Sequence, residues 1–122
     1  LTRFGTPRAM MGFLGLVPTE HSSGSKRAQG AITKAGNSSA RRAMVEAAWA
    51  YQHPARITPI IARRQGGVPK TVLDIAWKAQ LRLCARFRKL AIRGVNRNKL
   101  VVAVARELAG FVWAIGQQVR PV

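Results

Sequence analysis

Acidic residues are scarce in this 122-residue chain, which has 4 Asp and Glu against 21 Lys and Arg and a net charge of +17. A nuclease with its own metal site needs several carboxylates that converge on the metal ions. Two acids, Glu46 and Glu107, fall within helical patterns, Asp74 lies near a helix start, and only Glu20 neighbours a serine-rich segment. A self-contained two-metal site is therefore not expected, and we predict no metal ligands in this chain.

Cysteine and histidine are also nearly absent. The single cysteine, Cys84, excludes an internal disulfide and a zinc cluster built from cysteines. The two histidines, His21 and His53, are too far apart in sequence to form a metal-binding pair on one helix turn. A serine hydrolase triad is poorly supported, because His21 lies only two residues from Ser23 and no Gly-x-Ser-x-Gly turn follows a strand.

The chain has no uninterrupted apolar run long enough to cross a membrane. Its most apolar stretch, residues 100–116, contains Arg106 and Glu107 and is shorter than the ~20 residues that a span requires. We interpret it as a buried helix. Because Arg106 and Glu107 are adjacent, they do not face each other, and each is expected to find a partner elsewhere or to reach the surface.

A large positive charge and a substantial apolar fraction are what the sequence does contain. Apolar residues make up 48% of the chain, enough for one small folded domain with a modest core. Most of the cations are Arg, whose planar fork matches phosphate oxygens. Nucleic acid is the partner that this charge indicates first, and an anionic membrane surface is the alternative.

The hydrophobic periodicity predicts a mostly α fold: a small domain of about four helices, with a long Gly/Ser/Lys loop between the first two. Pro and the capping residues set the helix starts, and Gly sets several ends. The predicted helices span residues 7–14, 39–52, 70–92 and 99–117; Asn37 or Ser38 caps the second, and Asn96 or Asn98 caps the last. Residues 54–68 are interpreted as an irregular basic connector.

The predicted loop, residues 15–37, combines hydroxyl groups, glycines and cations just before a helix N-terminus. Small residues let backbone N–H groups approach a phosphate, and cations neutralise its charge. A serine in such a loop could bind a phosphodiester passively or attack it, and the residues alone leave both readings open. The residues concerned are Ser22, Ser23, Ser25, Lys26, Arg27, Lys34, Arg41 and Arg42.

A row of five cations is predicted along one face of the 70–92 helix, opposite its apolar face. Its members recur at helical spacing with no acid among them: Lys78, Arg82, Arg86, Lys89 and Arg93. Ordinary solvated faces mix charges of both signs, which gain from pairing three or four residues apart. The row therefore favours a nucleic-acid backbone as its partner over a simple solvated face.

Several motifs together resemble one protein family. They are Gly15-Leu-Val-Pro18-Thr-Glu-His-Ser-Ser23-Gly24, Gly30-x-Ile32-Thr33-Lys34-x-Gly36-Asn37, Arg41-Arg42, Glu46-Ala-Ala-Trp49, Trp77-x-x-Gln80-x-Arg82-Leu83 and Ala105-Arg106-Glu107-Leu108-Ala109-x-Phe111-x-Trp113. This combination resembles the C-terminal transposase domain of bacterial insertion-sequence transposases that pair a RuvC-like DEDD domain with a catalytic serine. At least one branch of these proteins is guided by a bridge RNA.

The resemblance implies a role for the serine before the loop glycine. That residue is Ser23, which would form a covalent link to DNA during strand exchange. Ser22 stays an alternative, because some relatives place the hydroxyl one residue earlier. Lys34, Arg41 and Arg42 would contact DNA or RNA phosphates near the exchange point.

The resemblance also implies partners that the chain does not contain. Residues 1–122 would be a single C-terminal transposase domain, inactive alone, whose longer protein binds Mg²⁺ in its RuvC-like domain. Its partners would be DNA, a bridge RNA and further copies of the same protein, and it would not bind a membrane. Its location would be the bacterial cytoplasm, at the nucleoid. A non-catalytic basic nucleic-acid-binding module is the alternative function.

Overall fold

A computed structural model describes residues 4–16 and 36–118 in full, and residues 18–23 and 26–32 through their backbone. The elements are, in order, α1 (Pro7–Phe13), β1 (Pro18–Ser23), β2 (Lys26–Ile32), α2 (Ser38–Ala48), a 3₁₀ turn (Trp49–Gln52), α3 (Pro59–Arg64), α4 (Lys70–Ile92) and α5 (Arg97–Gln118). The predicted mostly α fold is confirmed, and its four helices correspond to α1, α2, α4 and α5.

The α1 helix begins as its sequence predicts. Thr6 caps the helix by accepting a hydrogen bond from the Ala9 N–H at 3.1 Å, and Pro7 occupies the first turn. Gly15, with φ of 70°, follows the end of the helix in a conformation that side chains disfavour. The local signals are therefore sufficient to place this short helix.

The α3 helix lies inside the segment that we predicted to be an irregular connector. Its start repeats the Thr-Pro pattern of α1: the Thr58 hydroxyl accepts from the Ile61 N–H at 3.3 Å, and Pro59 follows. The helix has only six residues, too few for a hydrophobic period to show. The capping pair was the signal that could have revealed it.

The α2 and α5 helices have asparagine caps, which resolves two alternatives. Asn37 caps α2 by accepting from the Ala40 N–H at 2.9 Å, and Ser38 lies inside the helix. Asn96 accepts from the N–H groups of Asn98 and Lys99, so Asn96 is the residue that caps α5. Asparagine is among the preferred capping residues because its side-chain oxygen satisfies N–H groups that the first turn leaves free.

The α5 helix lies at the centre of the core and packs against α1, α2 and α4. Leu100 and Val104 are almost completely buried there, as is Leu83 from α4. Burial of such a side chain contributes roughly 1.5–3 kcal/mol. We interpreted the stretch 100–116 as too short to span a bilayer, but among the described residues the whole of α5 is long and apolar enough, with 39% of its apolar window buried inside the fold. Its packing against three helices accounts for the residues on the buried side.

The backbone between α1 and α2 forms a hairpin, where we predicted a long loop. β1 and β2 pair antiparallel, with Ser23 opposite Lys26 and an irregular register between Pro18 and Glu20. The loop prediction therefore needs correction for residues 18–23 and 26–32. The sequence signal was Gly24-Ser25, a pair typical of a two-residue hairpin connection, which lies outside the described residues.

Candidate functional site

The hairpin brings the two candidate serines to register positions opposite two cations. Ser23 lies opposite Lys26, and Ser22 lies opposite Arg27. Cα atoms of directly opposed residues in an antiparallel pair are about 4.5–5.5 Å apart. Each candidate nucleophile therefore has a cationic residue as its cross-strand neighbour.

Two contacts between α1 and α2 fix the base of this hairpin. The Asn37 N–H donates to the Phe13 carbonyl oxygen at 2.9 Å, and Arg41 Nη1 donates to the Leu14 carbonyl oxygen at 3.4 Å. Gly36 lies against the same Phe13 carbonyl with φ of +86°. The chain thus leaves α1 and enters α2 at adjoining points, and we call this junction the stem of the hairpin.

Arg41 and Arg42, which we expected near a phosphate, both have partners in the fold. Arg41 contacts the end of α1, as described above, and Arg42 Nε lies 3.6 Å from Glu46 Oε1 one turn along α2. Arg42 and Glu46 are largely exposed, so their pair is worth little and leaves Arg42 accessible. Lys34 lies outside the described residues. Arg41 therefore has a structural contact at the stem, and phosphate contacts by Lys34, Arg41 and Arg42 stay predictions.

The cationic row on α4 is not the unpartnered row that we expected. Glu107 of α5 lies between two of its members: Arg82 Nη2 is 2.9 Å from Glu107 Oε1, and Arg86 Nε is 3.2 Å from Glu107 Oε2. The Arg86 pair is close but misaligned, and within the described chain those two buried atoms have no hydrogen-bond partner. The sequence does not reveal this contact, because Glu107 belongs to a different helix.

The other three members of the row are exposed and have no ion pair among the described residues: Lys78, Lys89 and Arg93. Arg82 keeps 60% of its side chain exposed, whereas Arg86 keeps 37%. The row therefore divides into cations that are free to meet a phosphate and two arginines that hold α4 to α5.

This division predicts the salt dependence of nucleic-acid binding. Replacing Lys78 and Lys89 together with Gln is expected to reduce the slope of log K against log salt by about two units, because each phosphate contact contributes about 0.9 on B-DNA. The matched double replacement of Arg82 and Arg86 is expected to change the slope less, because Glu107 already neutralises part of their charge. Titrations of a DNA duplex at several salt concentrations measure both; an unchanged slope for the lysine variant would place the row away from DNA.

Metal-ligating side chains are scattered over the part of the chain described in full. No group of three His, Cys, Asp or Glu residues comes together there. Of the acids in that part, Glu46 pairs with Arg42 and Glu107 with two arginines, while Asp74 is exposed on α4. These residues do not fit a magnesium site.

Comparison with known proteins places this arrangement in a family. A profile of the transposase IS116/IS110/IS902 family matches residues 1–61, which include α1, the hairpin and α2. The chain belongs to the IS116/IS110/IS902 family of transposases. The serine segment thus lies within the part that defines the family, and the general resemblance drawn from the motifs is confirmed.

Two relatives extend the similarity beyond the family profile. The y4qE protein of Sinorhizobium fredii, which is named a transposase, is 51% identical over 118 residues, covering 97% of this chain and 30% of that protein. The transposase for insertion sequence element IS1533 of Leptospira borgpetersenii is 44% identical over 50 residues, covering 41% of this chain and 14% of that protein. No solved structure matches the chain. This IS116/IS110/IS902 family member therefore spans less than a third of the length of either relative.

Proposed function

We propose that this chain acts in DNA transposition as the serine-bearing part of an insertion-sequence transposase. The observation that carries the proposal is the hairpin within the family-matched segment, whose register sets Ser23 opposite Lys26 and Ser22 opposite Arg27. A serine attacking a phosphodiester needs nearby cations, because negative charge increases on the phosphoryl oxygens in the transition state.

The proposed reaction conserves the number of phosphodiester bonds. The serine Oγ forms a bond to a DNA phosphorus, one bridging P–O bond breaks, and the released sugar oxygen ends as a hydroxyl carrying one proton. The serine hydroxyl gives up one proton, so protons balance over the step. The reverse attack by a sugar hydroxyl of another strand would release the serine and complete the exchange.

The other components of the reaction lie outside the described residues. Mg²⁺, expected from the family resemblance, would be held by carboxylates of a RuvC-like domain, since the acids of residues 4–16 and 36–118 do not form a site. Pairing of two DNA ends requires more than one active site, so we propose a homo-oligomer of the longer protein. A bridge RNA as guide and a cytoplasmic, nucleoid-associated location belong to the same proposal.

The proposal is tested by covalent trapping. The longer protein with its RuvC-like domain is incubated with end-labelled DNA of the element terminus, denatured, and analysed for label that migrates with protein. A denaturation-resistant adduct is expected for the wild type, and none for a variant in which Ser22 and Ser23 are both replaced by Ala. An equal amount of adduct from this double variant would leave the alternative, a non-catalytic basic nucleic-acid-binding module.

A further inference from the structure

A second candidate site lies away from the hairpin, between the 3₁₀ turn, α3 and α4. These elements enclose a pocket of about 300 Å³ that opens to solvent. Ligand sites in proteins commonly begin at this volume and combine an apolar wall with a few polar groups. Neither the nucleophile nor the cationic row on α4 explains this pocket.

The walls of the pocket are aromatic with polar edges. Tyr51 and Trp77 line it together with His53 and Gln80, and Trp77 has 38% of its surface exposed although it is a large apolar residue. Gln80 is held in place because its Nε2 donates to the Arg56 carbonyl oxygen at 2.9 Å. An exposed aromatic face beside a fixed amide suits a flat heterocycle that stacks and forms hydrogen bonds at its edge.

Among the described residues, no Asp, Glu, Lys or Arg side chain lines the pocket. Cys84 Sγ donates to the His53 carbonyl oxygen at 3.2 Å, which fixes the turn onto α4. Burial raises the pKa of the Cys84 thiol, against a smaller opposing effect of Arg88, and burial also raises the pKa of Tyr51. Both groups therefore stay neutral, and no acid lines the pocket. A neutral ring fits these walls better than a free ion does.

Exposed cations lie on the elements that line the pocket and on the segment between them. Arg63 and Arg64 occupy the last turn of α3, whose residue Ile61 lines the pocket, and both are exposed. Arg56 is exposed next to Gln80, and Arg88 is exposed one turn beyond Cys84 on α4. Exposed positive residues close in sequence to a neutral aromatic pocket match a strand whose phosphates lie outside while one base enters.

We infer that this pocket receives a single unpaired base of a nucleic-acid strand. Trp77 and Tyr51 stack on the base, Gln80 contacts its edge, and the exposed arginines bind the neighbouring phosphates. The inference rests on the proposed function, because strand exchange exposes unpaired nucleotides. It would give this domain a binding site for single-stranded nucleic acid that is separate from the serine.

The test compares single-stranded and duplex binding of the 122-residue chain. The probes are a single-stranded oligodeoxynucleotide with one 2-aminopurine and the duplex of the same sequence. Trp77→Ala is expected to weaken single-strand binding roughly tenfold, since stacking on an aromatic side chain is worth about 1–3 kcal/mol per base. Duplex binding is expected to stay unchanged, and Trp77→Phe to retain most of the single-strand affinity and the quenching of 2-aminopurine.

Leu81→Ala is the matched control, because Leu81 is an apolar residue of α4 that is 49% exposed and does not line the pocket. Circular dichroism verifies that each variant is folded. The inference would be overturned if Trp77→Ala and Leu81→Ala lost equal affinity, or if Trp77→Ala lost equal affinity for single strand and duplex. It would also be overturned if Trp77→Ala lost no affinity, a result that would favour a protein partner for the exposed Trp77. Covalent trapping reports on the serine and not on the pocket, so failure of one proposal can be distinguished from failure of the other.

Discussion

Ser23→Ala alone is expected to abolish the covalent protein–DNA adduct, whereas Ser22→Ala retains most of it. Replacing the Ser23 hydroxyl group with a hydrogen atom removes the only side-chain atom at this position that can bond to phosphorus. Loss of a nucleophile costs roughly a thousandfold or more in rate. Ser23 is the last residue of β1, so it is the candidate serine nearer to the connection between the strands. The yield of labelled adduct over time measures both rates.

Lys26→Gln is the matched control for this prediction. Lys26 is the cross-strand neighbour of Ser23, and its replacement keeps the nucleophile while removing one cation. Removal of one stabilising group in a transition state typically costs about 10²–10³ in rate, so the variant should form adduct slowly but to the same end point. Full loss in Ser22→Ala with normal adduct in Ser23→Ala would move the nucleophile to Ser22.

The helical part of the fold could be predicted because its signals are local. The 70–92 prediction matches α4 at both ends, where Pro69 precedes the helix and Gly94, with φ of 75°, follows it. The α5 prediction differs by two residues at its start and one at its end. Periodic apolar residues and capping residues determine such elements within a window of a few turns.

The contacts between elements could not be predicted in the same way. Nothing near Arg82 or Arg86 in sequence shows that Glu107 comes between them, because the contact joins residues more than twenty positions apart. Arg41 likewise contacts the end of α1, which lies far from it in sequence. These contacts within the fold come from residues distant in sequence, and a phosphate contact by each of these cations stays a prediction.

The hairpin was missed for a different reason. Its strands contain serines, a glycine and cations rather than the alternating β-branched and aromatic residues that usually indicate a strand. The same residues are those of a phosphate-binding loop. Composition therefore predicted a phosphate-binding loop and not a hairpin backbone, and only the two-residue Gly24-Ser25 connection indicated strand pairing.

The base of the hairpin depends on Gly36, and Gly36→Ala is expected to destabilise the protein by about 3 kcal/mol or more. A side chain at φ of +86° is strained, at a cost of about 1–2 kcal/mol. A Cβ at this position would also overlap the Phe13 carbonyl oxygen and lie 2.7 Å from the carbonyl carbon, both of which are backbone atoms. Because that oxygen accepts the Asn37 N–H, relief of the overlap would break the contact that joins α1 to α2.

Gly67→Ala is the control that isolates the overlap from the strain. Gly67 has φ of +79°, close to that of Gly36, but a Cβ there meets nothing within 4 Å. Its replacement is therefore expected to cost about 1–2 kcal/mol, the strain alone. Urea unfolding gives the free energy of unfolding of both variants.

Because a displaced stem also moves Ser23 relative to the helical core, Gly36→Ala should slow adduct formation at a temperature where it remains folded, and Gly67→Ala should not. Equal destabilisation by the two substitutions would show that the backbone at the stem can move without loss of stability and does not position the serine.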